Sequence, residues 1–422
     1  MGQFRLFQAY GVEIEYMVVD RDTLRVSPVV DRLLHAASSL PGAALPEDED
    51  AQHPGSVELG DIAWSNELAL HVLEFKTNSP APSLDSLASN FHASVVQANA
   101  LLAPLNACLL PGGMHPTMNP DADMRLWPHG YNDVYAAFNR IFNCKGHGWA
   151  NLQSAHLNLP FDGDEEFGKL HAAIRFLLPI MPALAAASPV MDSTPTGLLD
   201  NRLEVYRQNA KAVPITSGRV IPEPVYTKAD YERVIFGAIY KAFEPRDPEG
   251  VLRHEWCNSR GAIARFSRDS IEVRVLDCQE CPRADLAIIA LVSSAIKAIT
   301  QGRMGDLANI SSWQVDPLAE IFLSTVRNAE QTVISNGAYL EALGFPGRSA
   351  SADELWSHIL SRTLATEPGY AEHAPALNVI LNRGTLSRRI MARLGNDVSA
   401  GNIGRVWREL AELLRANRLL GE

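Results

Sequence analysis

Four stretches of this sequence alternate apolar and polar side chains with the period of a β-strand. In GVEIEYMVVD (11–20), Val12, Ile14, Tyr16 and Val18 form one set, with Glu13 and Glu15 between them. Side chains alternate faces along a strand, so both carboxylates point the same way. VLEFKT places Glu74 and Lys76 two apart, SAHLNLPF does the same for His156 and Asn158, and IEVRVLD for Glu272 and Arg274. Such strands need one apolar sheet face for a core and one polar face, a pattern that antiparallel sheets accommodate. Adjacent like charges on such a face cost energy unless something cationic meets them.

The rest of the chain frames these strands. The first strand is predicted over 10–19 and another over 69–77, with 54–62 pairing with the latter as a hairpin and an acidic loop at 46–55. Residues 83–106 have a serine start, an acidic first turn and helical periodicity, and 107–113 read as a short buried strand. A polar loop (115–130) precedes a helix near 131–143, a strand over 151–161 and a helix over 164–188 that Pro179 and Pro182 interrupt. A loop over 189–200, a strand over 269–277 and a helix over 284–301 follow, and beyond 302 helices alternate with polar loops, ending in 406–420. Strands and helices mix without a regular βα alternation, which implies α+β with an antiparallel sheet. The expected organisation is a core over 1–301 and a helical region over 302–422 packed on it.

Composition narrows the partners. A net charge of −12 over 422 residues argues against nucleic acid or an anionic membrane as the main partner. The longest apolar stretch (284–299) is interrupted by Asp285 and Lys297 and reads as a buried helix, not a membrane span. No basic segment leads into an apolar run at the N-terminus, so no secretion signal is expected. Five cysteines suit a reducing cytoplasm rather than a disulfide framework. Cys278 and Cys281 form a CxxC pair with no second pair or nearby histidine to complete a zinc set. The pair is read as following a strand rather than opening a helix, and is given a packing role. Homo-oligomerisation is left open.

Any one of these polar pairs reads as an exposed face, a hydrogen-bonded pair or a cross-strand ion pair. Gathered on one sheet face they become ligands for a hard cation together with binders of phosphate or carboxylate. Oxygen-rich ligands favour Mg²⁺ or Mn²⁺ over Zn²⁺. Mg²⁺ on a few carboxylates normally has nucleotide phosphates in its shell. GxxxxGK[ST], GxGxxG after a strand, HExxH and GxSxG are all missing from the sequence, so ATP would be held by metal and arginines on a sheet.

GVEIEYMVVD, VLEFKT, MHPT (114–117), SAHLNLPF, AAASPVMDSTPTGLLDNR (185–202) and IEVRVLD occur in an order that resembles the glutamate–cysteine ligase and carboxylate–amine ligase family of the glutamine synthetase-like superfamily. The resemblance covers residues 8–300, with a looser match in the tail. It implies a curved antiparallel sheet forming a funnel, flanked by helices, with Mg²⁺ and ATP in its wider part and the amino-acid substrate deeper. It also implies a cytoplasmic, ADP-forming ligase of the kind that serves glutathione biosynthesis. Under it Glu13, Glu15, Glu74, His156 and Glu272 are the metal and phosphate-site ligands, and Arg274 contacts the transferring phosphate. Asn158 stands where members have Asn or His. Arg202 ends a turn similar to the family's Gly-Leu-x-Ser-x-Arg and binds substrate carboxylate or phosphate, with Asp200 in place of the usual serine. Lys76 and Arg207 complete the expected substrate- and ATP-binding set.

The reaction so implied activates a carboxylate as an acyl phosphate, which an amine then attacks to give an amide of γ-glutamyl type. Two other readings share the scaffold: a phosphagen-type kinase, and a non-catalytic binder of nucleotide or metal. Met114, Trp127, Tyr131, Trp149 and Tyr206 are candidates to line the substrate pocket.

Overall fold

The computed structural model describes residues 4–422. β1 (Gly11–Asp20) lies inside a nine-stranded sheet. Val12, Ile14, Tyr16 and Val18 are fully buried beneath it, and each buried aliphatic side chain contributes about 1.5–3 kcal/mol. Beyond Glu15, Met17 and Val19 are buried as well, so the end of the strand is covered on both faces and only its beginning presents a polar one.

The other strands are β2 (Ala43–Ala44), β3 (Ser56–Leu59), β4 (Ile62–Asn66), β5 (Val72–Thr77), β6 (Ala107–Leu110), β7 (Ser154–Pro160), a small separate hairpin of β8 (Val190–Met191) and β9 (Thr194–Pro195), then β10 (Ala262–Arg265) and β11 (Ser270–Asp277), and a second small pair of β12 (Val333–Ile334) and β13 (Ala350–Ser351). The sheet order is β10-β11-β7-β1-β5-β4-β3-β2, with β6 pairing on the far end of β1, and every pairing is antiparallel. The register places Glu13 opposite both His156 and Lys76, Glu15 opposite Glu74, and Glu272 opposite Asn158. Directly opposed residues share a face, so these pairings collect the polar positions of four strands. Gly11 sits opposite Asn158, and a Cβ there would lie 2.9 Å from the Asn158 Cβ, so the small residue leaves Asn158 its place. β11 carries a register shift between Val273 and Leu276, which bends the strand around Arg274.

The helix Pro282–Thr300 is buried along nearly its whole length and packs on helices Leu87–Leu102, Gly163–Leu177 and Tyr370–Arg383. Among the described residues no helix is long and apolar enough to cross a membrane. The chain after residue 302 is largely helical and shares one continuous hydrophobic core with the sheet layer. Polar contacts reinforce that junction. Arg389 pairs with the buried Glu280, and the Trp356 indole donates to the Ile180 carbonyl at 2.7 Å. The backbone amides of Leu199 and Asp200 donate to Arg327 and Val326 at 3.2 and 3.0 Å, and the Ser387 hydroxyl donates to the Leu199 carbonyl.

Several boundaries differ from expectation for local reasons. The 54–62 segment holds a turn, since Gly60 takes φ +66° there, so β3 and β4 form the hairpin and β4, not β3, pairs with β5. The helix predicted from 83 starts at Leu87, because Ser86 is left-handed at φ 66°, which puts Asp85 outside the first turn. Pro179 lies in the first turn of the short segment Leu178–Ile180 and Pro182 begins Pro182–Ala185, and the two so divide the 164–188 stretch. The last helix, Ala400–Ala416, starts earlier than predicted because the Ser399 side chain caps it. The CxxC pair does open a helix: Cys278 follows β11, while Cys281 is the N-cap of Pro282–Thr300. Both thiols are fully buried, which pushes their pKa values well up and fits a packing role.

Candidate active site

The polar ends of β1, β5, β7 and β11 form a connected cluster. Glu13 receives hydrogen bonds from the His156 ring (Nδ1 to Oε2, 2.9 Å) and the Asn158 amide (3.2 Å). Glu15 accepts from the Ser154 backbone N–H at 2.7 Å and its hydroxyl at 2.8 Å. Ser154 Oγ also stands 2.9 Å from His156 Nε2. With the serine proton on Glu15 that contact calls for a proton on Nε2, and with the serine proton on Nε2 the ring is neutral there while Glu15 keeps the backbone N–H. Glu74 accepts from Ser65 at 2.9 Å and Lys76 at 3.3 Å. Glu272 accepts from Arg265 Nη1 at 2.9 Å, and Arg274 Nε lies 2.9 Å from its other oxygen without hydrogen-bond alignment.

Electrostatics splits the carboxylates. Burial pushes Glu13 up, but the hydrogen bond and charge of His156, with Lys76 and Arg274, outweigh it and hold the group down to about 2. Burial and then the charges of Glu13 and Glu15 push Glu74 up to about 7 against the opposing Lys76. Burial would lower His156, yet Glu13 and Glu15 raise it above the usual histidine value. Glu67, on the turn between β4 and β5, is raised well above the usual range by burial and by Glu74 and Glu15.

Five carboxylates (Glu13, Glu15, Glu67, Glu74, Glu272) thus meet three permanent cations (Lys76, Arg265, Arg274), an imbalance that a divalent cation would relieve. Two triads bring one ligand atom each within 4.8 Å of the others: Glu13, His156 and Glu272, and Glu15, Glu74 and His156. Oxygens with one imidazole suit Mg²⁺ or Mn²⁺, so the residues present fit such ions.

A cavity opens on either side of the cluster. One, of about 420 Å³, is lined by Glu13, Lys76, Asn158, Tyr10, Arg268 and Ser270. The other, of about 200 Å³, is lined by Glu15, Glu67, His156, Arg202 and Arg274, with aromatic walls that include Trp149, Tyr206 and Trp256. Glu13 and Glu15 are successive face positions on β1, as are Asn158 and His156 on β7, so each strand passes from one cavity to the other. A larger concavity of about 810 Å³ beside Asp31 and His53 holds none of these residues, so volume alone does not locate the chemistry.

The remaining candidates divide. Arg202 is buried at the edge of the smaller cavity, with Nη1 3.3 Å from Asp277 and Nη2 donating to the Arg274 carbonyl at 2.9 Å. Asp200 caps the helix Asn201–Asn209 by accepting from the Leu203 N–H, a role that serine or aspartate fills equally. Arg207 lies on that helix but is bound to Glu204 through two hydrogen bonds of 2.6 and 2.7 Å and lines neither cavity. Of the five pocket candidates, Trp149 and Tyr206 line the smaller cavity. Met114 and Trp127 are core residues at 1% and 0% exposure, and Tyr131 is 74% exposed.

Glu67 and Arg265 join the cluster without having been singled out in the sequence. Glu67 sits in a connection with no strand alternation, and Arg265 is on an edge strand of four residues whose only signal was the basic hairpin ARFSRDS leading into Glu272.

The model of glutamate-cysteine ligase family 2 matches residues 9–409. A protein of Archaeoglobus fulgidus described as uncharacterized is 38% identical over 242 residues, 57% of this chain and 64% of that one. A putative glutamate–cysteine ligase 2 of Bradyrhizobium sp. (strain ORS 278) is 26% identical over 299 residues, 69% of this chain and 61% of that one. The chain therefore spans just under two thirds of the curated relatives it matches. Among solved structures, a glutamate–cysteine ligase from Francisella tularensis in complex with AMP superposes with a TM-score of 0.56 at 12% identity, covering 99% of this chain and 95% of that one. A bifunctional glutathione synthetase from Pasteurella multocida gives 0.53 at 13% identity, covering 98% of this chain and 52% of that one. At these identities the structural likeness shows a common α+β fold, and the family match extends over nearly the whole sequence: the chain belongs to glutamate–cysteine ligase family 2.

Proposed function

We propose that this protein is an ATP- and Mg²⁺-dependent carboxylate–amine ligase that forms an amide through an acyl phosphate, with glutamate and cysteine the first substrate pair to test. The observation that carries this reading is the pair of ligand triads sharing His156, set on strands that run between two cavities. The larger cavity takes the nucleotide, and the smaller one, with aromatic walls, takes the acyl substrate.

Mg²⁺, or Mn²⁺ in its place, would be held by Glu13, Glu15, Glu74, Glu272 and His156, and when bound it neutralises the phosphate charge that repels an incoming carboxylate. The chain's own groups do the rest. Arg274 lines the acyl cavity and offers a planar fork to the transferred phosphoryl oxygens. Lys76 and Asn158 face the nucleotide, and Arg202 reads the substrate's carboxylate from a position set by Asp277. In the first step the substrate carboxylate oxygen bonds to the γ-phosphorus of ATP, and the bridging P–O bond breaks with its electron pair leaving on ADP. In the second step the amine attacks the acyl carbon, inorganic phosphate departs and the amine loses a proton to solvent. Positioning and electrostatics supply the rate, with no covalent nucleophile.

The catalytic part in this reading is residues 1–301, with 302–422 packed against it. Five unpaired cysteines suit a reducing, cytoplasmic setting. The test is ADP release across pairs of amino acids with Mg²⁺, beginning with glutamate and cysteine. A ligase needs both substrates and yields an amide. A stable phosphorylated product from one substrate alone, or no turnover with any pair, would overturn the reading.

A further inference from the structure

Glu272 is held between two guanidinium groups. Arg265 reaches one of its oxygens at 2.9 Å, and Arg274 Nε stands 2.9 Å from the other. Arg265 lines neither cavity, whereas Arg274 is part of the wall of the smaller one. Arg265 sits opposite Ser270 in the β10–β11 register, and Ser270 lines the larger one. Glu272 stands between the two arginines, with Arg274 on the side of the smaller cavity and Arg265 beside Ser270 on the side of the larger one.

Arg265 is incompletely used. Its side chain is 16% exposed and its Nε is buried with no partner. Its one ion-pair partner, Glu272, also belongs to the triad with Glu13 and His156. A cation that took the Glu272 oxygen held by Arg265 would deprive that guanidinium of its partner. A part-buried guanidinium left unpaired is costly, so an anion must replace it. The lining of the larger cavity offers no second carboxylate apart from Glu13, itself a member of the triad.

We propose that Arg265 is a nucleotide-contact residue that binds the phosphates remaining on ADP, while Arg274 faces the phosphoryl group that is transferred. This rests on the ligase reading and its assignment of the larger cavity to the nucleotide. As the bridging bond breaks, its electron pair collects on the β-phosphate oxygen, on the side where Arg265 stands. Glu272 holds Arg265 in place until nucleotide and metal arrive together, and exchanges it for the metal when they do. The bland alternative is a cross-strand ion pair that serves the sheet alone.

The two are separated by MgADP, which has no transferable phosphoryl group. Equilibrium binding of MgADP is measured by calorimetry for wild type, Arg265→Met and Arg274→Met, with melting temperatures recorded without ligand. Loss of a charge-assisted contact is expected to weaken MgADP by about tenfold or more in Arg265→Met. Arg274→Met is expected to keep MgADP affinity within about threefold while losing turnover. MgADP affinity equal to wild type in Arg265→Met, or a loss no larger than in Arg274→Met, overturns the proposal. If Arg265→Met does not fold, Arg265→Gln carries the same comparison, because its amide can still donate to Glu272. Absence of MgADP binding by wild type would overturn the nucleotide reading itself, an outcome distinct from a variant that binds normally.

Discussion

Glu13 and His156 face each other across β1 and β7 at 2.9 Å, and His156 belongs to both ligand triads. The carboxylate is stabilised by the ring and the ring by the carboxylate, so Glu13 supports the fold as well as the site. Glu13→Gln is expected to lower turnover by about a hundredfold or more, in the range of a lost electrostatic stabiliser. Its melting temperature in EDTA should stay level or fall slightly. Near wild-type turnover at saturating Mg²⁺ would remove β1 from the reaction.

Glu74 is the opposite case. Its carboxyl keeps a proton up to about pH 7 in the fold but releases it near 4.5 when unfolded. Between those values the native state binds more protons at this group, so its contribution to stability falls as pH rises. A shift of that size corresponds to roughly 3 kcal/mol, and Glu67 and His156, also raised, act in the same direction. His71, His115 and His171, which burial lowers to about 4, 4 and 3, act the other way over the same window, so the Glu74 contribution is read as a difference between two proteins. In EDTA the melting temperature of Glu74→Gln should gain on that of wild type as pH rises from 5.5 to 8, and a difference that stays constant over this window would contradict the charge balance described for the site.

Metal and nucleotide should be coupled. ATP with Mg²⁺ is expected to raise the melting temperature far more than ATP with EDTA, because a ligand that binds only the folded state stabilises it by mass action. Equal shifts in the two buffers would mean that side chains alone hold the nucleotide, and the metal assignment would fall.

Arg274 tests the acyl side. Arg274→Lys keeps the charge and loses the planar fork. Turnover should drop by about tenfold to a thousandfold with little change in ATP affinity or melting temperature, the pattern of an interaction made in the transition state. Normal activity would return Arg274 to a structural ion-pair partner of Glu272 on the same strand.

The sheet was readable from Glu13, Glu15, Glu74, His156 and Glu272 because period-two alternation survives any tertiary context, and the register then brings those five within reach of one another. Arg207 shows the limit of reading a motif along the chain. It is five residues from Arg202, yet on the helix Asn201–Asn209 that spacing turns it toward Glu204 and away from the cavities. Glu67 and Arg265 came from the other direction. Their place depends on a connection and an edge strand, whose geometry is fixed by neighbours rather than by local pattern. The CxxC pair was misplaced relative to its helix because Pro282, a favoured first helical residue, lies directly after Cys281.

The backbone bonds from Leu199 and Asp200 to Arg327 and Val326, with the Ser387 hydroxyl on Leu199, act as a splint on the segment that carries Arg202. In the proposed mechanism the helical tail therefore acts by lever rather than by chemistry. A side chain 188 residues away in sequence from Leu199 sets the seat of a cavity-lining arginine that it never touches. Under the ligase reading, loss of that splint alone would blunt the reading of the acyl substrate by Arg202 while leaving the carboxylate cluster, and with it nucleotide loading, intact.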